Sequence, residues 1–124
     1  MLGNCLDNVR KSVPLVHNIT NYVTVNDVAN VLLACGGSPI MSDEPDDVAD
    51  ITSICGGLNI NIGTLNKHSI EGMFIAGKKA NELNHKVLLD PVGSQRHQLL
   101  ICTDFLRMSA LVISICQRND HAKM

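Results

Sequence analysis

Four short apolar runs, each followed by a polar loop, constrain this chain more than any other feature. They are Leu15–His17, Ser38–Met41, Leu58–Ile62 and Val87–Leu89. Amphipathic stretches separate them. Leu2, Leu6 and Val9 share a helical face that Ser12-Val13-Pro14 brings to an end. Val25, Val28, Ala29, Leu32 and Leu33 recur at helical spacing after Asn21 or Thr24 as a cap, and Gly36-Gly37 stops them. Ser42 to Asp47 opens a further helix with acids in its first turn, and Val48, Ile51, Thr52 and Cys55 give it an inward face. Asn66 or Ser69 caps a last one, carrying Ile70, Met73, Phe74, Gly77 and Leu83. Strand, polar loop, helix and strand in repetition predict right-handed βαβ crossovers and a mostly parallel α/β sheet.

Composition narrows the function. A chain of 124 residues has room for one small domain. With 10 basic and 12 acidic side chains, its net charge of −2 matches neither a nucleic-acid backbone nor an anionic membrane surface. Tyr22, Phe74 and Phe105 are the only aromatics, too few for a stacking platform. Five cysteines without a C-x-x-C pair predict a reduced, cytoplasmic protein with no zinc knuckle. No apolar run approaches the roughly 20 residues that span a bilayer.

Ligands of parallel sheets sit beyond the carboxyl ends of the strands. The candidate loops are therefore Asn18–Asn21, Met41–Glu44, Gly63–Leu65 and Asp90–Gly93. Asp90 directly follows an apolar strand, where a carboxylate can hold Mg²⁺ beside a phosphate or serve only as a turn acid before proline. Asn61-Ile62-Gly63-Thr64 brings an amide, a bare backbone and a hydroxyl to a strand end, or forms a simple turn. His17 reads as a packed, hydrogen-bonded histidine before it reads as a base. Asn18 and Asn21 suit a small polar ligand or a cap. Met41 suits a heteroaromatic ring or core filling. No G-x-x-x-x-G-K-[ST], G-x-G-x-x-G or G-x-S-x-G occurs.

Taken together, five segments resemble the amino-terminal part of the hydroxyethylthiazole kinase family, of the ribokinase-like superfamily. They are Val16-His17-Asn18-Ile19-Thr20-Asn21-Tyr22-Val23, Gly37-Ser38-Pro39-Ile40-Met41, Asn61-Ile62-Gly63-Thr64-Leu65, Ala76 to Leu83 and Leu89-Asp90-Pro91-Val92-Gly93. The resemblance implies a three-layer α/β fold and a trimer with sites between subunits. It also implies phosphoryl transfer from ATP, with Mg²⁺, to the hydroxyl of 4-methyl-5-(2-hydroxyethyl)thiazole in thiamine biosynthesis. It puts Met41 on the thiazole, Asn18, Gly63 and Thr64 around it, and Asp90 near the phosphates and metal. No catalytic residue is assigned by it.

After Gly93 the family pattern breaks, because Ser94 is followed by Gln95-Arg96-His97-Gln98-Leu99. Those residues can be written with codons that read Ser-Ala-Thr-Ser-Tyr when one base is dropped, close to the family's own continuation. The expectation is therefore a kinase portion at 1–93, a frameshifted tail at 94–124 and an incomplete sheet. Such a chain is expected to be a truncated, inactive form and a possible pseudogene. Three other readings stand beside it: an intact kinase whose sequence carries an error at the break, a non-catalytic oligomerisation partner of a full-length kinase, and a small-metabolite binding module.

Overall fold

A computed structural model describes residues 1–92, 100, 101, 103, 104, 107 and 112–114. Helix α1 (Leu2–Ser12) closes on Val13, which takes a left-handed conformation at φ 44° ahead of Pro14. Strand β1 (Leu15–Ile19) leads into α2 (Val25–Cys35). The amides of Gly36 and Gly37 close α2 onto the carbonyls of Leu33 and Leu32. Gly36 needs to be glycine twice over, since its φ is 96° and a Cβ there would lie 2.6 Å from Arg10 Cγ.

Strand β2 (Ser38–Met41) is followed by α3 (Val48–Ile54), which starts later than its acids suggest. Asp43 to Asp47 form the turn before the helix, with the Asp47 and Val48 amides donating to the Glu44 carbonyl. Strand β3 (Gly57–Asn61) precedes α4 (Lys67–Glu82). Asn66 and Ser69 act together on α4: each side chain accepts from the other's backbone amide, a reciprocal cap. Strand β4 (Lys86–Asp90) and strand β5 (Val112–Ser114) follow.

Among the described residues these strands form one parallel sheet in the order β2-β1-β3-β4-β5. The expectation that the sheet is cut short at residue 93 is corrected here. Val112–Ser114 pairs in register with Val87–Leu89, so the outer edge of β4 is covered by a strand from beyond that point. The signal was present in the apolar, β-branched run from Leu111 to Ile115. The other expectations for 94–124 fall largely outside the described residues.

Side-chain alternation sends His17, Ile19, Leu58, Ile60, Val87 and Leu89 to one face of the sheet, all buried. There they meet Val48 and Thr52 of α3 and Met73, Ala76 and Ala80 of α4. The opposite face carries Val16, Asn18, Asn59 and Leu88. With Val28, Val31 and Leu32 of α2 they line an open, apolar groove of about 510 Å³. The chain runs from β1 outward to β2, then returns past β1 to β3, so the order reverses between β1 and β3. Such a reversal opens a crevice at the carboxyl ends of the two strands.

Candidate functional site

The residues at that crevice form one hydrogen-bonded line across three strand ends. Asn21, in the loop after β1, accepts at Oδ1 from the amides of Val23 (3.1 Å) and Thr24 (3.0 Å) and from the Thr24 hydroxyl (3.0 Å). These bonds satisfy donors just ahead of α2 that the helix itself leaves free. Asn21 Nδ2 donates to Asn61 Oδ1 at 2.9 Å, and the Gly63 amide donates to the same oxygen at 2.9 Å. Asn61 Nδ2 then donates to Asp90 Oδ2 at 2.8 Å, and Asp90 Oδ1 accepts from the Val92 amide at 3.0 Å. Asn61 and Asp90 are register partners on β3 and β4, so the parallel pairing itself sets them side by side.

Glycine at 63 serves this line directly. A Cβ there would lie 3.0 Å from Asn61 Oδ1 and 3.1 Å from Asn21 Nδ2, pressing on the pair that joins the loops. Thr64, next along, is exposed on the same loop.

Met41 stands apart from the line, at the end of β2. With Asn18, Tyr22, Val25, Ser42 and Asp43 it lines a small cleft of about 70 Å³. The Tyr22 hydroxyl donates to Asp43 Oδ2 across its mouth, joining the loops after β1 and β2. That carboxylate raises the Tyr22 phenol above its ordinary value. Asn18 forms the floor and is 1 % exposed. Its Nδ2 donates to the Val16 carbonyl (2.9 Å) and its Oδ1 accepts from Asn59 Nδ2 (3.1 Å), so its side chain is fixed from both ends.

Beneath the cleft lies His17, fully buried. One ring nitrogen, Nε2, is 2.9 Å from the Ser42 carbonyl, which only accepts, so Nε2 carries the proton. Nδ1 then accepts from the Thr52 hydroxyl at 2.9 Å. Burial lowers the imidazole's pKa, against a smaller upward effect of the Ser42 bond. A neutral, doubly bonded ring here anchors the Met41–Asp43 wall and has no free nitrogen for proton transfer.

Of the residues singled out from the sequence, Gly63 and Asp90 therefore join through Asn61, while Met41 and Asn18 share the neighbouring cleft. Asn61 and Asn21 carry the most bonds, and neither was among the assigned site residues. Both sit in the quoted motifs, but only the strand register shows that Asn61 faces Asp90. Among the described residues no group of three or more His, Cys, Asp or Glu is placed to hold a metal ion, and no helix is long and apolar enough to cross a membrane.

A family model described as the hydroxyethylthiazole kinase family matches residues 6–114. A hydroxyethylthiazole kinase of Clostridium acetobutylicum is 68 % identical over 93 residues, 75 % of this chain and 34 % of its own length. One from Clostridium beijerinckii is 52 % identical over 118 residues, 95 % of this chain and 43 % of its own. The solved hydroxyethylthiazole kinase structure from Pyrococcus horikoshii OT3 superposes with a TM-score of 0.83 at 36 % identity, covering 90 % of this chain and 45 % of that one. The chain thus spans less than half the length of these relatives.

These matches correct the expectations built on a break at residue 93. Family likeness runs on to residue 114, and the beijerinckii alignment takes in 118 residues. The likeness is therefore not confined to an amino-terminal portion ending at residue 93. The expectation of a sheet broken off at residue 93 is overturned too, since 90 % of this chain follows the known structure. The reading as a truncated, inactive form or pseudogene, which rested on that break, falls with it. On a match that covers most of its residues, the chain belongs to the hydroxyethylthiazole kinase family.

Proposed function

We propose that this chain takes part in ATP-dependent phosphorylation of the hydroxyl group of 4-methyl-5-(2-hydroxyethyl)thiazole. The observation that carries the reading is the convergence at the β1/β3 crevice. A polar line that includes the Asp90 carboxylate runs beside the apolar Met41 cleft, and phosphoryl transfer needs positioning and charge neutralisation more than a covalent group.

In this reading Met41 packs on the thiazole ring, Asn18 closes the floor, and Gly63 and Thr64 border the hydroxyethyl arm. Asp90 faces the phosphates. Its bonds to the Asn61 amide and the Val92 N–H are to neutral groups, which leaves its charge to a cation. Mg²⁺ is commonly held by only one or two carboxylates together with phosphate oxygens and water, so a single acid fits it. Bound there with ATP, the ion would neutralise phosphate charge. A cleft of about 70 Å³ cannot bury a substituted ring by itself, which supports a second wall from another copy of the chain, as in a trimer. A cytoplasmic setting, where ATP and Mg²⁺ are supplied, goes with the reading.

The test is a mass-spectrometric assay for phosphorylated hydroxyethylthiazole with ATP and Mg²⁺, alongside calorimetric titration of the thiazole. Met41→Ala is expected to weaken thiazole binding about tenfold, the loss of about 1.4 kcal/mol of apolar contact. Asp90→Asn is expected to remove Mg²⁺-dependent turnover while thiazole still binds. Absence of thiazole binding at millimolar concentration by the folded chain would refute the reading.

A further inference from the structure

The line from Asn21 to Val92 joins two loops that would otherwise be set independently. The loop after β1 lies beside the Met41 cleft, and Asp90 lies beyond β3 on the far side. Asn61 is bonded to both: its carbonyl oxygen faces the first, and its amide nitrogen faces the second. The two ends are chemically distinct. Oδ1 can only accept and Nδ2 can only donate, so the orientation of this one amide is fixed by an asparagine donor on one side and a carboxylate on the other.

We propose that Asn61 is a positioning residue that sets the loop after β1 and the Asp90 carboxylate as a single unit. The inference rests on the functional reading above in so far as Asp90 serves a cation, but the coupling itself does not.

Three features support it. Asp90 has one oxygen on Asn61 and the other on the Val92 amide, so losing the first leaves the carboxylate held by the Val92 amide alone. Val92 holds a φ of 50°, a backbone state that a β-branched residue rarely adopts unless its surroundings impose it. Gly63, finally, leaves room for the Asn21–Asn61 contact and for no side chain. A side chain whose two ends are both committed this way makes rigidity at one loop depend on order at the other.

The chemistry of the amide allows its two arms to be cut separately. Asn61→Asp keeps an oxygen for Asn21 and Gly63 but sets a second carboxylate against Asp90. Asn61→Ala cuts both arms. The pair Asn61→Asp with Asp90→Asn reverses donor and acceptor, restoring the bond with the carboxylate on the other strand.

The experiment is amide hydrogen exchange by NMR on the full chain, with Mn²⁺ and ATP titrated as the cation probe. In Asn61→Asp the Val92 amide is expected to exchange about tenfold faster, with Thr24 little changed; in Asn61→Ala both accelerate. The reversed pair is expected to restore slow exchange at Val92 yet not the Mn²⁺–ATP affinity that Asp90 supplies. A bond that merely held the fold together would not separate these two readouts. Val92 exchange in Asn61→Asp within about twofold of wild type would overturn the proposal, as would a reversed pair no better than the single variant. If the exchange pattern holds and wild type binds no Mn²⁺–ATP, the positioning role stands and the phosphoryl-transfer reading fails.

Discussion

Replacing Gly72 by alanine pits helix propensity against packing at one position, and the structure decides the sign. Gly72 lies in α4, within the buried series Ser69, Gly72, Met73, Ala76 and Ala80 that faces the sheet and α3. Propensity alone favours alanine in a helix by about 1 kcal/mol. The added Cβ, however, would stand 2.5 Å from the Asp43 carbonyl oxygen and 3.7 Å from Val48 Cγ1. The first contact is roughly 0.9 Å inside ordinary separation, and the atom it meets is backbone that cannot swing aside.

Overpacking of that kind costs about 1–3 kcal/mol, and a backbone obstacle puts Gly72→Ala at the upper end. Set against the propensity gain, the net loss is about 1.5–2 kcal/mol. In urea unfolding, with a slope of about 1.5 kcal/mol per molar, the midpoint falls by about 1 M. Gly3→Ala supplies the control, since a Cβ there meets nothing within 4 Å and the substitution tests propensity on the exposed α1. It is expected to leave stability unchanged or raise it by up to about 1 kcal/mol. The displacement has a functional arm too. Asp43 accepts from Tyr22 and follows Ser42, which His17 holds, so pushing its carbonyl distorts the Met41 cleft. Gly72→Ala should therefore weaken hydroxyethylthiazole binding as well. A Gly72→Ala protein as stable as wild type would refute the argument.

Three further outcomes follow from the same geometry. Thr52→Val removes the hydroxyl that donates to His17 Nδ1 and leaves that buried nitrogen unpaired, which should cost about 1–3 kcal/mol in chemical unfolding; Thr52→Ser, which keeps the donor, should cost clearly less. Burial holds the folded His17 below its ordinary 6.5, so the unfolded chain takes up the proton first. Its contribution is therefore whole above about pH 6.5 and declines as pH falls below it, by at most about 1.4 kcal/mol per pH unit, so subtracting an unfolding series of His17→Gln from that of wild type should leave this slope. Asn66→Ala breaks the reciprocal cap of α4 and should lower the thermal midpoint by the equivalent of about 1 kcal/mol, whereas Asn66→Asp should retain most of it.

What the sequence made legible was whatever a local rule governs. Buried parallel strands must be apolar, so Val87-Leu88-Leu89 and Leu58 to Ile62 announced themselves, and Gly36 and Asn66 marked helix ends because capping chemistry has few alternatives. Two kinds of information were not local. The start of α3 turned on whether Asp43 to Asp47 lay inside the helix or before it; acids suit both places, and the Glu44 carbonyl, by accepting from Asp47 and Val48, settled it. The continuation past Gly93 is hidden for a related reason. The departure from the family pattern at 94–99 is conspicuous, whereas the β-branched run at 111–115 is short; yet a strand needs only such a run and a free edge, and β4 offers one.

Asn61 shows the deeper limit. As an asparagine between Ile60 and Ile62 it reads as half of an alternating strand, and its neighbours Gly63 and Thr64 attract the ligand-binding interpretation. Its importance comes from standing opposite Asp90 in a parallel register and within reach of Asn21 across the point where strand order reverses. Each of those residues is also explicable alone, as a turn, a cap or an acid before proline. Pairing removes that freedom: once β1, β3 and β4 are aligned, an amide at 61 is the one group that can donate to Asp90 while accepting from Asn21 and Gly63, and replacing any member of the line leaves another with a bond unmade.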